Sequence, residues 1–279
     1  ASWGYPARLI DAPEAAELEP ALLSPDKQAT VAWFPEEPYL LTEPLVVRLV
    51  ADLTRQGGTL LTGEPGRVTG LDTGPGDTAR VRTAAGAVIE ADEVICCAGR
   101  WTPGLAALAG AAGTVPLVAW DTPGSPAPEL VVRVGPAGPE GPVRLIHTPQ
   151  LALRPHSGGL LHLEAPDMPV DLHAPEAELR RLAGQLLERA RRTVRGLADA
   201  RVVAAQVCVR PLPADEQSIV GRLPGAEWLY VAVTHSGVTL AAHLSRLVVA
   251  ELITGTEAAG LTPYRPARFA GTATPDTRR

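Results

Sequence analysis

The segment that most constrains the fold is LYVAVTHSGVTLAAHLSRLVVAELITG, residues 229–255. It opens with an apolar run that predicts a strand, and a turn containing Gly237 follows. The remainder predicts a helix that ends at Gly255, because glycine readily adopts the left-handed conformation that terminates helices. A strand joined to a helix through a short turn indicates an α/β sheet.

The other segments mix helical and strand patterns. A helix is predicted from Thr42, a natural N-cap, to the glycine pair that begins at Gly57. Another helix is predicted over 175–195, where arginines occupy the last turn and so favour a helix C-terminus. Proline and glycine crowd 121–142, which is interpreted as loops. Strand patterns occupy 59–61, 93–97, 201–210 and 228–233, together with a strand meander over 66–99 and a hairpin over 151–166.

The buried strands 59–61, 93–97 and 228–233 are predicted to lie parallel in one sheet. The chain is therefore expected to be mixed α/β, with parallel and antiparallel parts. One formal match to a nucleotide-binding G-x-G-x-x-A loop runs from Gly74 to Ala79. It lies between two predicted hairpin strands, and no helix follows to bind a pyrophosphate, so it is interpreted as a solvent turn.

Composition excludes some partners and suggests a compartment. The formal charge of −6 argues against a nucleic-acid-binding protein, which would carry a basic face. No uninterrupted apolar run reaches about 18 residues, so no contact with a membrane is expected. Three cysteines do not form a disulfide framework, and the cytoplasm is the expected location. No cluster of His, Cys and Asp has the spacing of metal ligands, so no metal site is predicted.

Three stretches, in chain order, carry a family resemblance. They are ADEVICCAGRWTPGLAALAG, CVRPLPADEQSIVGRLPG and the strand–turn–helix at 229–255. A fourth, PYLLTEPLVVRLVADLTRQGGTLLTGEPGRV, has the matching order of helix, Gly-Gly and strand. Together they resemble the FAD-dependent amine and amino-acid oxidoreductases, the family that includes D-amino-acid oxidase, glycine oxidase and monomeric sarcosine oxidase.

The resemblance implies two interleaved domains. An incomplete Rossmann-like FAD-binding domain is expected over 40–115 and 205–260, and a mostly antiparallel substrate-binding sheet domain over 1–39 and 116–204, followed by a tail at 261–279. The family's N-terminal Gly-rich unit has no counterpart in the resemblance, so this chain is expected to hold only part of an FAD site. A partner chain could supply the missing unit. Without it, weak FAD binding and exposure of the sheet edge at Ile95 and Val231 are expected.

Two residues near the end of the strand at 201–210 are the main candidates for chemistry. The resemblance implies that Arg210 binds the substrate carboxylate, since a guanidinium fork holds a carboxylate bidentately. The alternative is a surface ion pair with Asp215 or Glu216. Cys208, on the same strand face as Arg210, aligns with a cysteine that in sarcosine oxidase bonds covalently to flavin. The alternative for Cys208 is a small buried thiol.

The resemblance implies further contacts with the cofactor. The opening of the last helix would face the flavin, because its backbone N–H groups favour negative charge. Thr239 stands where sarcosine oxidase has a carboxylate-binding lysine, so a sarcosine-like substrate is not expected. His162 aligns with a lysine that promotes reaction with oxygen, and the alternative is a half-exposed strand histidine without a role. The predicted cofactor contacts are Val68, Ala98, Gly99, Trp101, Cys208, His235, Ser236, Gly237, Val238 and Thr239; Cys96 and Cys97 are predicted to be core residues.

The expected function is FAD-dependent oxidation of a C–N bond in a small amine or amino acid that carries a carboxylate. One alternative is an incomplete fragment or partner subunit that binds no flavin alone. Another is a related FAD-dependent 2-hydroxy-acid dehydrogenase, because Arg210 would bind any carboxylate.

Overall fold

A computed structural model describes residues 4–23 and 30–270, which fold as two units, each built from two stretches of chain. The first unit comprises Ala1–Arg48 and Trp120–Val209, and the second comprises Leu49–Ala119 and Arg210–Arg279. The assignment of a substrate domain and a cofactor domain to particular residues stays a prediction.

Strands outnumber α-helices in the described residues, and both are numbered in chain order. The strands are β1 (Arg8–Ile10), β2 (Val31–Trp33), β3 (Val68–Thr73), β4 (Ala79–Thr83), β5 (Val88–Ala91), β6 (Val94–Cys96), β7 (Pro128–Gly135), β8 (Ile146–Thr148), β9 (Leu151–His156), β10 (Leu160–Glu164), β11 (Arg201–Val209), β12 (Ile219–Leu223) and β13 (Ala226–Val233). The helices are α1 (Ala12–Leu18), α2 (Thr42–Arg55), α3 (Thr102–Leu108), α4 (Glu176–Thr193) and α5 (Gly237–Thr254). Two short 3₁₀ helices, Ala259–Tyr264 and Pro266–Phe269, follow α5.

The first unit is built on a five-stranded antiparallel sheet in the order β11-β7-β10-β9-β8. Alternate residues of these strands, such as Leu130, Leu153 and Leu163, are buried against the apolar stripe of α4, which includes Leu182 and Leu186. Because side chains alternate across a sheet, the residues between them face the opposite side. The sheet therefore has one apolar face and one polar face.

A buried carboxylate ties the N-terminal segment to a distant loop in this unit. Glu19 is 5% exposed and accepts hydrogen bonds from the backbone N–H groups of Ala21, Val143 and Arg144, at 3.3, 3.1 and 2.9 Å. Backbone donors satisfy a carboxylate that would otherwise lose its hydration on burial. Glu19 thus fixes the position of the loop that precedes β8.

The second unit is built around a small sheet in which β13 lies between β12 and β6. The β13–β6 pair is parallel, with Leu229 opposite Val94 and Val231 opposite Cys96. A separate antiparallel sheet, β3-β4-β5, contributes Leu71 to the same apolar core. Helix α5 packs against residues of β12 and β13 in a further apolar cluster.

A buried ion pair between Glu251 and Arg265 joins α5 to the segment that follows it. Glu251 is 6% exposed and accepts a hydrogen bond from Arg265 Nη1 at 3.0 Å, a second from Arg265 Nη2 and one from the Tyr230 hydroxyl. The Ala258 N–H donates to the same carboxylate at 2.5 Å. Burial raises the pKa of Glu251, but these donors outweigh it and hold the pKa below its ordinary value. The group anchors the 3₁₀ helices that follow α5.

Most of the predicted elements are confirmed. Helices α2, α4 and α5 lie where the sequence predicts them, and Gly255 caps α5 with φ of +66°. The predicted hairpin is β9–β10, with its turn at Ser157–Gly159. The predicted parallel pairing of 93–97 with 228–233 is also confirmed.

Three predictions about the sheets are wrong. Residues 59–61 form no strand, because no described strand lies beside them to bond their backbone groups. Residues 121–142 are not all loops, since they contain β7, whose apolar run between proline and glycine residues is buried. Val231 is fully buried rather than exposed, because β12 and β6 flank its strand and the core covers its side chain, whereas Ile95 is 46% exposed as expected.

One described helix, α5, is long and apolar enough to cross a membrane by length and composition alone, with a mean hydropathy of 1.3. The expectation drawn from uninterrupted apolar runs did not detect it, because Arg246 and Glu251 interrupt the run. Leu244, Leu247 and Val248 of this helix pack against the sheet, which accounts for their apolar character. The absence of membrane contact stays a prediction.

Replacing Glu251 with Gln should destabilise the second unit by about 3 to 5 kcal/mol, because Arg265 would remain buried without its counter-charge. Amide hydrogen exchange in β13 and α5 measures this loss. Since the pKa of Glu251 is lowered by folding, its contribution is present above the ordinary carboxyl pKa and is lost as the pH falls through the lower, folded-state value. The exposed Glu257→Gln is the matched control, and equal exchange in both variants would contradict the assignment.

Candidate functional site

The candidate site of the second unit lies where two parallel strands end. Strand β6 ends at Cys96 and β13 ends at Val233, and their parallel register brings both carboxyl ends to one edge of the sheet. Ala98 and Gly99 follow the first strand, and the turn to α5 follows the second. In open α/β sheets, ligands bind outside the carboxyl ends of strands, so this edge is the candidate site for a ligand.

The turn after β6 depends on a glycine. Gly99 has φ of +55°, a conformation that other residues adopt with strain. A Cβ at this position would lie 3.8 Å from the Pro211 ring. The segment containing Arg210 and Pro211 therefore runs beside the end of β6, and the Val118 N–H donates to the Leu212 carbonyl at 2.8 Å to hold it there.

The start of α5 presents backbone donors at the same edge. Gly237, Val238 and Thr239 form its first turn and are exposed, and the N-cap residue Ser236 makes no side-chain capping bond. The Ser236 hydroxyl instead lies 3.4 Å from Nδ1 of His235. Nothing would lie within 4 Å of a Cβ at Gly237, so a ligand can approach the backbone closely. N–H groups in the first turn of a helix favour a negatively charged ligand.

These donors suit one part of FAD. The first turn of α5 can bind the electronegative edge of a flavin, and the Gly99 turn permits close approach of a planar ring. The residues from Gly74 to Asp77 form a turn between β3 and β4, as predicted, and no helix follows it. In the described residues this match to a phosphate loop therefore offers no helix N-terminus to a pyrophosphate.

Trp101 and Val68, two of the predicted cofactor contacts, lie far from the α5 turn in sequence. Trp101 is 60% exposed, and the guanidinium of Arg100 lies 4.2 Å from the centre of its ring. Val68 begins β3, which belongs to a different sheet from β6, and its side chain packs on the apolar core. The contacts of both residues with a cofactor stay predictions.

Arg210 lies just beyond the end of β11, which stops at Val209. The following proline ends the ladder, so strand pairing does not extend to Arg210, and the shared face of Arg210 and Cys208 stays a prediction. The Nε atom of Arg210 is buried. Asp215, one of the two ion-pair partners considered for Arg210, accepts two hydrogen bonds from Arg268, at 2.7 and 3.1 Å. That pairing lowers the pKa of Asp215.

His162 and Cys208 lie on the polar face of the sheet in the first unit. His162 Nε2 lies 2.5 Å from Oε1 of Glu164, and its side chain is 12% exposed, so it is not the half-exposed residue of the alternative interpretation. The hydrogen bond from His162 lowers the pKa of Glu164.

Cys208 is a half-buried free thiol that accepts a 3.6 Å hydrogen bond from Gln206 Nε2. Of the adjacent cysteines predicted to be core residues, Cys96 is buried and Cys97, beyond the end of β6, is exposed.

Sequence reasoning missed three charged residues on this polar face. Glu164 follows His162 by two positions, a spacing that places both on one face of a strand. Arg133 and Arg154 lie on the strands flanking His162, directly opposite it in the register. The His-x-Glu alternation was a detectable signal, whereas the two arginines become neighbours only through strand pairing.

The fold matches solved flavoenzymes. L-Proline dehydrogenase from P. horikoshii superposes with a TM-score of 0.75 at 20% identity, covering 96% of this chain and 70% of that one. Glycine oxidase from Geobacillus kaustophilus gives 0.71 at 22% identity, covering 96% and 68%. L-Amino acid deaminase from Proteus vulgaris, with its specific insertion deleted, gives 0.75 at 15% identity, covering 96% and 65%.

No curated protein sequence matches this chain. The sequence matches the family described as FAD dependent oxidoreductase (DAO) over residues 1–251. That match covers most of both units and agrees with the resemblance carried by the strand ends, the Arg-Pro segment and the last helix. The chain belongs to the DAO family of FAD-dependent oxidoreductases.

Proposed function

We propose that this protein oxidises the C–N bond of a small amine or amino acid that carries a carboxylate, with FAD as the oxidant. The observation that carries the proposal is the position of Arg210, whose segment runs beside the Gly99 turn at the ligand-binding edge of the β6–β13 pair. Three solved structures of the same fold are named as an amino-acid oxidase, dehydrogenase or deaminase. These names support an amine substrate.

The residues of the chain have distinct roles in this reaction. FAD, when bound, supplies the acceptor for the hydride. The guanidinium of Arg210 binds the substrate carboxylate through two parallel hydrogen bonds and so fixes the direction of the C–H bond. The first-turn N–H groups of Gly237, Val238 and Thr239 stabilise negative charge that develops at the facing edge of the ligand.

The proposed reaction has two stages, oxidation of the amine and hydrolysis of the product by water. The substrate loses a hydride from the carbon next to nitrogen and a proton from nitrogen, which leaves a C=N bond. Water adds to that carbon, and the C–N bond breaks to give a carbonyl product and the amine. The electrons removed from the C–H bond leave with the hydride.

We also propose that a Gly-rich βαβ segment, on this polypeptide or on a partner chain, completes the FAD site. The support lies in the exposed apolar surface of the second unit. Ile95 is 46% exposed on the edge strand β6, and Leu60 and Leu61 are 52% and 53% exposed. Large apolar side chains on a sheet edge favour pairing with a further strand.

We propose that the protein is located in the cytoplasm, because all three of its cysteines are free.

Replacing Arg210 with Ala should lower kcat/KM on carboxylated amines by about 2 to 5 kcal/mol in transition-state free energy, because the substrate carboxylate loses its buried partner. Flavin content should remain unchanged. Steady-state kinetics of the flavin-loaded enzyme measure the loss, with Arg181→Ala on the exposed surface of α4 as the matched control. Equal kinetics of the Arg210 and Arg181 variants on every carboxylated substrate would show that Arg210 does not bind substrate.

Residues 1–279 alone should bind FAD weakly, and a separately produced Gly-rich βαβ segment should tighten the binding, because its helix N-terminus supplies the pyrophosphate donors. Quenching of flavin fluorescence during titration measures the affinity with and without that segment. A segment with its loop glycines replaced by alanine is the control. Tight stoichiometric binding by residues 1–279 alone would refute the need for a further segment.

A further inference from the structure

The Arg210 segment, residues 210–218, is bound by an arginine that lies much later in the chain. Arg268, in the 3₁₀ helix that ends the described residues, donates from Nε and Nη2 to the Asp215 carboxylate at 2.7 and 3.1 Å. Its Nη2 also donates to the Gln217 carbonyl at 3.0 Å. A guanidinium with two bonds to a carboxylate and a third to a backbone carbonyl fixes both the side chain and the main chain of the segment.

Arg268 is itself held in place by its own neighbours. Its Nη1 donates to the Arg265 carbonyl at 3.2 Å, and its guanidinium lies 4.3 Å from the centre of the Phe269 ring, which packs on the apolar core of the second unit. The side chains of Arg268 and Asp215 are 21% and 35% exposed. An exposed ion pair contributes little, whereas a bidentate pair that is partly withdrawn from water is screened less by salt.

Other contacts of the Arg210 segment also lie within the second unit. The Ala214 N–H donates to the Pro116 carbonyl at 3.0 Å. The Ser218 hydroxyl donates to Thr234 Oγ1 at 2.9 Å, and the same oxygen accepts a 3.3 Å hydrogen bond from the Ser236 N–H. The segment is therefore connected to the turn from which α5 begins.

The backbone of the Arg210 segment is strained at one residue. Glu216 has φ of +63°, a conformation that residues other than glycine rarely adopt. Such a conformation persists only where surrounding contacts fix it. The residues on either side of Glu216 are Asp215 and Gln217, the two that Arg268 binds. The contacts from Arg268 thus stabilise a backbone conformation that is unfavourable by itself.

We propose that Arg268 is a positioning residue, which acts through Asp215 to fix the Arg210 segment at the candidate ligand-binding edge of the second unit. This inference rests on the proposed binding of a substrate carboxylate by Arg210, and it adds the residue that maintains the geometry of that binding. All three guanidinium nitrogens of Arg268 donate to groups of the chain, so Arg268 acts on the segment rather than on a ligand. Bidentate binding of a carboxylate depends on the orientation of the guanidinium plane, so a displaced segment binds substrate less well.

Amide hydrogen exchange of residues 1–279, followed by NMR, tests whether Arg268 holds the segment. Arg268→Ala should speed exchange of the Ala214 and Gln217 amides by ~10-fold, as expected for loss of charge-assisted hydrogen bonds. Asp215→Asn should have the same effect, because it removes the charge that Arg268 binds. The protected amides of α5 show whether each variant is folded.

Arg222→Ala is the matched control for the exchange experiment. Arg222 lies in the same unit and likewise donates to both oxygens of one carboxylate, Glu93, and to one backbone carbonyl, that of Glu227. Its removal should leave exchange in the Arg210 segment unchanged. Equal exchange of the segment in Arg268→Ala and Arg222→Ala would overturn the positioning role.

Kinetics of the flavin-loaded enzyme separate positioning from general stability. Arg268→Ala should lower kcat/KM for carboxylated amines such as glycine by about 10- to 100-fold, because the guanidinium of Arg210 is displaced. The same change should cause no further loss in an Arg210→Ala background, since residues that act through one another are not additive. Arg268→Lys should be intermediate, because it keeps the charge and loses the fork.

Equal kinetic losses from Arg268→Ala with and without Arg210 would contradict action through Arg210. A flavin-loaded enzyme that oxidises no carboxylated amine would refute the proposed function. The exchange experiment alone would then decide whether Arg268 holds the segment, so the two failures are distinguishable.

Discussion

The parallel pairing of β6 with β13 is the contact on which the candidate site depends. The two strands are far apart in sequence, yet the register from Leu229 opposite Val94 to Val231 opposite Cys96 brings their carboxyl ends together. The Gly99 turn and the first turn of α5 become neighbours only through this pairing. A shift of one residue would turn Val231 from the core toward the opposite face, so burial of its side chain fixes the register and with it the site.

The sequence predicted the strand–turn–helix at 229–255 well, because an apolar run, a glycine turn and a C-terminal glycine are all local signals. It failed for β7, where proline and glycine at the ends concealed a central strand. It also failed for 59–61, because a strand exists only if a neighbour bonds its backbone, and no local pattern reports that neighbour. Arg210 was predicted as a site residue from its motif and stays a prediction, whereas Arg133 and Arg154 could not be grouped with His162 until the strand register was known.

The two units differ in how completely their buried and half-buried charged groups are paired. Around Glu251 four donor groups, from Tyr230, Ala258 and Arg265, converge on one carboxylate, and the charge of Glu251 is matched by that of Arg265. On the polar face of the sheet the charges are only partly matched, since Glu43 and Glu164 compensate Arg133 and His162. A fully compensated buried group contributes to a defined structure, whereas a partly compensated surface retains the capacity to bind.

The interleaving of the chain determines the order in which its parts can fold during synthesis. The first unit needs both Ala1–Arg48 and Trp120–Val209, and its Glu19 carboxylate finds its partners only when Val143 and Arg144 have been made. The second unit is complete only after Arg265 has left the ribosome, because Glu251 is buried with it. Within residues 49–119, β3, β4 and β5 pair with one another, whereas β6 must wait for β13 while the whole first unit is made. A nascent chain of this kind exposes the edge of β6 until β13 has been made, and an unpaired strand edge is prone to aggregation during synthesis.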